Sequence, residues 1–110
     1  MMRMALSPAA VGLLRALVAR AGIPRDRILL SAWRSIDWQS LTFVGERHEI
    51  ELRISGPGAQ EALGRLSGDL EDAEFDIRGQ IVADIAVVGE PDCSSDGSVT
   101  VKLEALTIAA

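Results

Sequence analysis

Phe75-Asp76-Ile77-Arg78-Gly79-Gln80-Ile81-Val82-Ala83-Asp84-Ile85-Ala86-Val87-Val88 is the stretch that decides the fold. Phe75, Ile77, Gly79, Ile81, Ala83, Ile85 and Val87 occupy one phase of a two-residue period, and Asp76, Arg78, Gln80, Val82, Asp84, Ala86 and Val88 occupy the other. Successive side chains of a strand point to opposite faces, so this pattern predicts a long strand with one apolar face and one mixed face. Such a sheet needs a cover on the apolar side only.

The covers are readable on the N-terminal side of each strand region. Ser7-Pro8 opens a helix, because the Ser hydroxyl can accept from an orphan N–H and Pro at the first position lacks only a donor that would go unused. Val11, Leu14, Leu17, Val18 and Ala21 then recur at three- and four-residue steps, and Gly22 with Pro24 ends the run. A helix is expected over about 8–21. Ser55-Gly56-Pro57-Gly58 is the clearest break in the chain, and Ala59, Ala62, Leu63, Leu66 and Leu70 after it give a second helical stripe, weakened by Gly64 and Gly68.

The remaining segments read as strands. Ile28, Leu29, Leu30, Trp33 and Ile36 lead to a turn at Asp37-Trp38-Gln39-Ser40. In the next segment Leu41 and Phe43 have the opposite parity from Ile50, Leu52 and Ile54. One inserted residue near Gly45-Glu46 would bring both sets to the core, and a tight turn at the same place would instead make 41–54 a hairpin of its own. A polar loop over Gly89–Gly97 precedes a last strand in which Val99, Val101 and Leu103 alternate with Thr100, Lys102 and Glu104.

The order is α-β-β-α-β-β in a single α+β domain spanning 1–110. It predicts a two-layer sandwich, a four-stranded antiparallel sheet with both helices on one face. That is the topology of a circularly permuted ferredoxin-like fold, an analogy of architecture without functional content.

Composition narrows the partners. The 110 residues carry a net charge of −5, with a pI near 4.7, which argues against nucleic acid, whose binding rests on a positive face. Residues 1–53 hold eight Arg against five acids, whereas 54–110 hold three basic residues against eleven acids. The halves should attract, within one fold or between subunits. Apolar residues make up 48% of the chain before its 10 Gly are added, a surplus that reflects either an Ala-rich composition, with 15 Ala, or interfacial surface and hence self-association, most simply a homodimer. The lone Cys93 cannot close an internal disulfide, so a cytoplasmic location is the default. Met4–Leu14 with Ala19-Arg20-Ala21 has the outline of a signal peptide, but Arg15 and Arg20 favour a folded amphipathic helix. No apolar run is long enough to span a bilayer, and no membrane partner is expected.

The sheet face away from the helices is the first place to look for function. Trp33, Arg34, Trp38, Glu46, Arg47 and His48 all fall in the first hairpin, and both Trp residues of the chain are among them. Trp joins a large contact area to one N–H donor, which suits a binding centre, and it suits a core equally. His48 is the sole histidine; with Glu46 on the same side of a regular strand, and Asp37 or Asp84 if the fold brings them close, it could move a proton. The bland alternative is a structural histidine. Asp92, Ser94 and Asp96 followed by Gly97 mimic the first half of a calcium loop, but position 12 is Leu103 rather than Glu. Asp69, Glu71, Asp72, Glu74 and Asp76 read as a solvated edge or as a surface for a basic partner. Phosphate-cradling loops, a nucleophile elbow and paired Cys motifs are absent from the sequence, so no cofactor and no metal is expected. The leading expectation is a non-enzymatic binding or assembly module that contacts a second copy, or a protein partner, through the Trp-bearing hairpin. A small cofactor-free enzyme or small-ligand-binding protein using His48 is the alternative.

Overall fold

The computed structural model describes residues 6–110, so Met4 and Ala5 of the signal-like stretch lie outside the described residues. Helix α1 is Pro8–Ala21, capped by the Ser7 hydroxyl, which accepts from the Ala10 N–H at 3.1 Å. Gly22, at φ 67°, closes it in the left-handed conformation that Gly adopts without strain. Strands β1 (Ile28–Gln39) and β2 (Val44–Ile54) form a long hairpin, α2 is Ala59–Ser67, and β3 (Gln80–Val87), β4 (Asp92–Cys93) and β5 (Val99–Ala109) complete the chain. No helix among the described residues is long and apolar enough to cross a membrane.

All pairings are antiparallel, and the strand order is β1-β2-β5-β3, with β4 paired to the start of β5. Both helices pack on the sheet. Ala10, Leu13, Leu17 and Ala21 of α1 meet Ala62, Leu63 and Leu66 of α2 over Ile50, Leu52, Ile54, Val99, Val101 and Leu103 of the two central strands. The sheet has five strands where four were expected. The extra one is the far end of the β3 arm: Val88 still donates to the Lys102 carbonyl at 2.8 Å, then Gly89, Glu90 and Pro91 break the ladder before Asp92 pairs with Thr100. Pro91 has no N–H to give.

Several local expectations are corrected. The buried stripe of α1 is Ala10, Leu13, Leu17 and Ala21, about one position round from the expected face; Val11, Leu14 and Val18 are only half-buried. The first turn lies at Ser40–Phe43, three residues later than expected, where the Ser40 N–H donates to the Phe43 carbonyl. Leu41 and Phe43 therefore sit in an exposed turn, and their parity never competes with that of β2. Strand β2 runs through Gly45-Glu46 with neither a bulge nor a turn. The irregularities fall elsewhere, at Leu30/Ala32 in β1 and Val82/Asp84 in β3.

The long 75–88 strand is also shorter than its pattern implied. Its first five residues lie outside the ladder: Gln80 donates to the Ile77 carbonyl at 3.0 Å across the Arg78-Gly79 turn, and pairing with β5 begins only at Gln80. The bulge at Ala83 then exchanges the faces, so Val82, Ile85 and Val87 meet the core while Ile81 is 53% exposed. Helix α2 stops at Ser67; Asp69, at φ 50°, redirects the chain into a 3-10 turn (Leu70–Asp72) that returns Leu70 to the core.

Candidate functional site

The sheet registers divide the expected site residues between its two faces. Trp33 stands opposite Ile50, Ser35 opposite His48, and His48 opposite Ala105, which puts Trp33, Ser35, Glu46, His48 and Thr107 on the helix-covered face. Arg34, Ile36 and Trp38, opposite Glu49, Arg47 and Gly45, lie on the outer face. The six side chains of the first hairpin therefore form two sites.

On the covered face the sheet's apolar rows end in a polar cluster around His48, which is fully buried. Its Nδ1 lies 2.7 Å from Ser35 Oγ and its Nε2 lies 2.9 Å from Thr107 Oγ1. Trp33 Nε1 donates to Ser35 Oγ at 2.8 Å, and the Trp33 ring meets the imidazole edge-on, with centroids 5.6 Å apart. Thr107 Oγ1 is 3.5 Å from the Glu46 carbonyl oxygen, which can only accept. One polarity satisfies every group. Indole N–H gives to Ser35, Ser35 gives to Nδ1, Nε2–H gives to Thr107, and Thr107 gives to the carbonyl. This assigns neutral His48 the Nε2–H tautomer, on the basis of the network. Burial lowers its pKa from the ordinary histidine value, and the Glu46 carboxylate works weakly the other way.

Glu46 is itself tied to helix α1. Ser7 Oγ, while accepting from Ala10, donates to Glu46 Oε1 at 2.7 Å. The helix N-cap and strand β2 are thereby linked through one hydroxyl, and the carboxylate sits where the helix dipole favours negative charge. Asp37 shares Glu46's row, whereas Asp84 lies on the outer face opposite Leu106, away from His48.

Chemically the cluster is closed. Both imidazole nitrogens are engaged, and His48 lines neither the outer-face groove nor the clefts beside α1. Ser35 resembles an activated hydroxyl only in part: its oxygen also accepts the indole N–H, and the group beyond Nε2 is a threonine where a triad would place a carboxylate.

The outer face has two halves. At the turn end Trp38, Gly45, Ile108 and Ile81 stand side by side across four strands, and Ile36, Arg47, Leu106 and Asp84 form the next row. Of the seven exposed large apolar residues among those described, Ile36 and Ile81 lie on the outer face at this end and Leu41 and Phe43 in the turn beside it, whereas Val44, opposite Gln39, falls in the phase of the covered face. The other half is charged. A shallow groove of about 320 Å³ runs over Ala32 and Val88 between Arg34, Glu49, Lys102 and Glu104. Arg34 and Glu49 approach to 3.8 Å, an exposed pair of little energetic weight.

The calcium-like stretch is occupied by structure. Asp92 belongs to β4, and Ser94–Gly97 is a tight turn closed by the Gly97 N–H on the Ser94 carbonyl. Asp96 Oδ1 accepts from both the backbone N–H and the hydroxyl of Ser98, and its other oxygen pairs with Arg53 at 3.0 Å. The Ser98 hydroxyl, the Ser98 N–H and the Arg53 charge hold its carboxyl below the usual range. Among the described residues no cluster of three or more His, Cys, Asp or Glu could hold a metal. Cys93 is exposed, and its Sγ accepts from Gln60 Nε2.

Sequence reasoning read Ser7 as a helix cap without its bond to Glu46, and missed Ser35 and Thr107. Thr107 left a trace, being a hydroxyl in the apolar phase that runs Val99, Val101, Leu103 and Ala105. Ser35 needed the β1–β2 register. Comparison of the chain with protein-family models, with curated proteins and with solved structures finds no match.

Proposed function

We propose that the protein is a non-enzymatic binding or assembly module of the cytoplasm that associates with a second copy of itself through the end of the sheet bearing the β1–β2 turn. The observation that carries this reading is the gathering of Ile36, Leu41, Phe43 and Ile81 at that end, next to Trp38 and Ile108. Contiguous apolar surface of several hundred Å² marks an interaction site more often than a chance exposure. Unspent charge supports a second copy as the partner. Among the described residues only Arg34–Glu49 and Arg53–Asp96 form ion pairs, so most of the basic excess of the first half and the acidic excess of the second remain available between molecules.

The strand order and the helix preceding each hairpin also support reading the architecture as a permuted ferredoxin-like sandwich in which β4 is a detached piece of the β3 arm. Light scattering on the eluting peak tests the functional reading. A dimer fraction that grows with concentration is expected, and a strict monomer at about 1 mM, where even a weak contact of roughly −4 kcal/mol would be half formed, overturns it.

The alternative is a small cofactor-free enzyme or a ligand-binding protein, for which the hydrogen bond between His48 and Ser35, a residue at the solvent-exposed margin of the cluster, is the favouring observation. Proton-transfer chemistry there requires the imidazole to open to solvent or ligand. A His48 resonance that titrates as a solvent-exposed ring, or shifts when a ligand is added, would move the balance toward it.

A further inference from the structure

We infer that the free edge of β1 is a pairing edge, and that its occupant is β1 of a second copy, aligned antiparallel about a two-fold axis at Ile36. This rests on the self-association proposed above and names its contact.

The two edges of the sheet are built differently. The β3 edge is 8 residues long, is bulged beside Asp84 and breaks off before β4, and the Leu70–Asp72 turn packs against it. Shortness, bulges, charges and cover are the devices that keep an edge from recruiting another strand. Strand β1 is 12 residues long, its one irregularity lies near Ser31, and from Ala32 to Gln39 it is regular, with neither proline nor lysine. Its outward N–H and C=O groups form an open template.

The side chains select the register. Residues directly opposite in an antiparallel pair share a face, so Arg34, Ile36 and Trp38 of both copies must stay on the outer face. With Ile36 opposite its own copy, Arg34 falls opposite Trp38 twice, Ser35 opposite Asp37 twice and Trp33 opposite Gln39 twice. An apolar pair stands at the centre, a guanidinium lies beside an indole on each side, and no like charges meet. Moving the axis to Arg34 sets two guanidinium groups against each other; moving it to Asp37 does the same with two carboxylates. Moving it to Ser35 leaves Arg34 opposite Ile36 and separates it from the indole.

The exposed apolar residues follow the same line. Leu29, Ile36, Leu41 and Phe43 lie along this edge and its turn, and the axis at Ile36 brings the turn of one copy alongside Ser31 and Leu29 of the other. Seven paired residues per strand span about 23 Å. A contact this narrow is smaller than the roughly 800 Å² per partner of a standard interface, so a weak, concentration-dependent dimer is expected.

Sedimentation velocity on the full chain, from about 1 µM to about 1 mM, tests the contact in three forms: the natural sequence, Ile36→Lys, and Leu106→Lys on the outer face of the central strand β5. The natural chain and Leu106→Lys should dimerise alike, while Ile36→Lys weakens the dimer at least about tenfold. Both substituted positions are on the outer face, and matching circular dichroism spectra confirm that the fold is kept. In a Cys93→Ser background, Ile36→Cys should form a disulfide-linked dimer under mild oxidation, since paired Cα atoms lie about 4.5–5.5 Å apart; Leu29→Cys should not. A dimer that survives Ile36→Lys, or is lost equally in Leu106→Lys, overturns the edge contact while self-association stands. A dimer in which Ile36→Cys fails to cross-link overturns the register. A monomer throughout overturns both this inference and the function it rests on.

Discussion

Acidification singles out His48. Its folded-state pKa is lowered, first by burial and against a weaker pull from Glu46, so the ring is neutral in the folded chain under conditions where the unfolded chain begins to protonate. Above about pH 6.5 neither state holds the proton and the full stability is present. Below it the unfolded chain gains a proton that the folded chain refuses, and stability falls by up to about 1.4 kcal/mol per pH unit until the folded pKa is reached. The loss by about pH 5 is at most about 2 kcal/mol, a large part of a typical margin of about 5–15 kcal/mol. The hydrogen-bond polarity explains why the proton is unwelcome: Nδ1 already accepts from Ser35, and protonation forces that hydroxyl to turn away. Urea titrations at a series of pH values, run beside His48→Gln, measure the effect. The natural chain should lose more in its midpoint than the variant between about pH 7.5 and pH 5, by up to about 1 M for a slope near 1.5–2 kcal/mol/M. Staying above about pH 5 keeps most carboxylate titration out of the window. Midpoints that move in parallel, or a folded-state His48 pKa at or above the ordinary value by NMR, would refute the reasoning.

Two further substitutions probe the frame around that cluster. Gly45→Ala would place a Cβ 1.9 Å from the Thr107 carbonyl oxygen, so β2 and β5 must separate locally; thermal melting should show a loss of about 3 kcal/mol or more, within the range of severe overpacking and broken pairing. Ser7→Ala removes both the cap on Ala10 and the bond to Glu46, and chemical denaturation should report a loss of about 1–2 kcal/mol, with amide exchange in the first turn of α1 accelerated.

What could be read from the residues followed from how local each signal is. Helix α1 has its limits written in Ser7-Pro8 and Gly22, and both ends stand where those residues put them. The alternation in 99–109 is correct because β5 is central and both of its edges hold it straight. The long run from Phe75 misled because alternation cannot reveal a bulge: at Ala83 one unpaired residue exchanges the faces, and Ile81, in phase with Ile85 by sequence, ends on the other side. Leu41 and Phe43 looked like strand residues because apolar side chains are expected to be buried, whereas the turn leaves them in solvent. The His48 cluster was half legible. Glu46 and His48 share a face two residues apart in one strand, but Ser35 and Thr107 arrive from 13 and 59 residues away, distances that only the completed sheet closes.

That completed sheet has an unequal division of labour. The segment 99–109 is the one strand partner of β3 and β4 and the second partner of β2, so a growing polypeptide can close its first hairpin early but must hold the inner edge of β2 open until the segment 99–109 has left the ribosome. During that interval the edges of both β1 and β2 are unpaired, and a chaperone that shields extended apolar segments would find its substrate there.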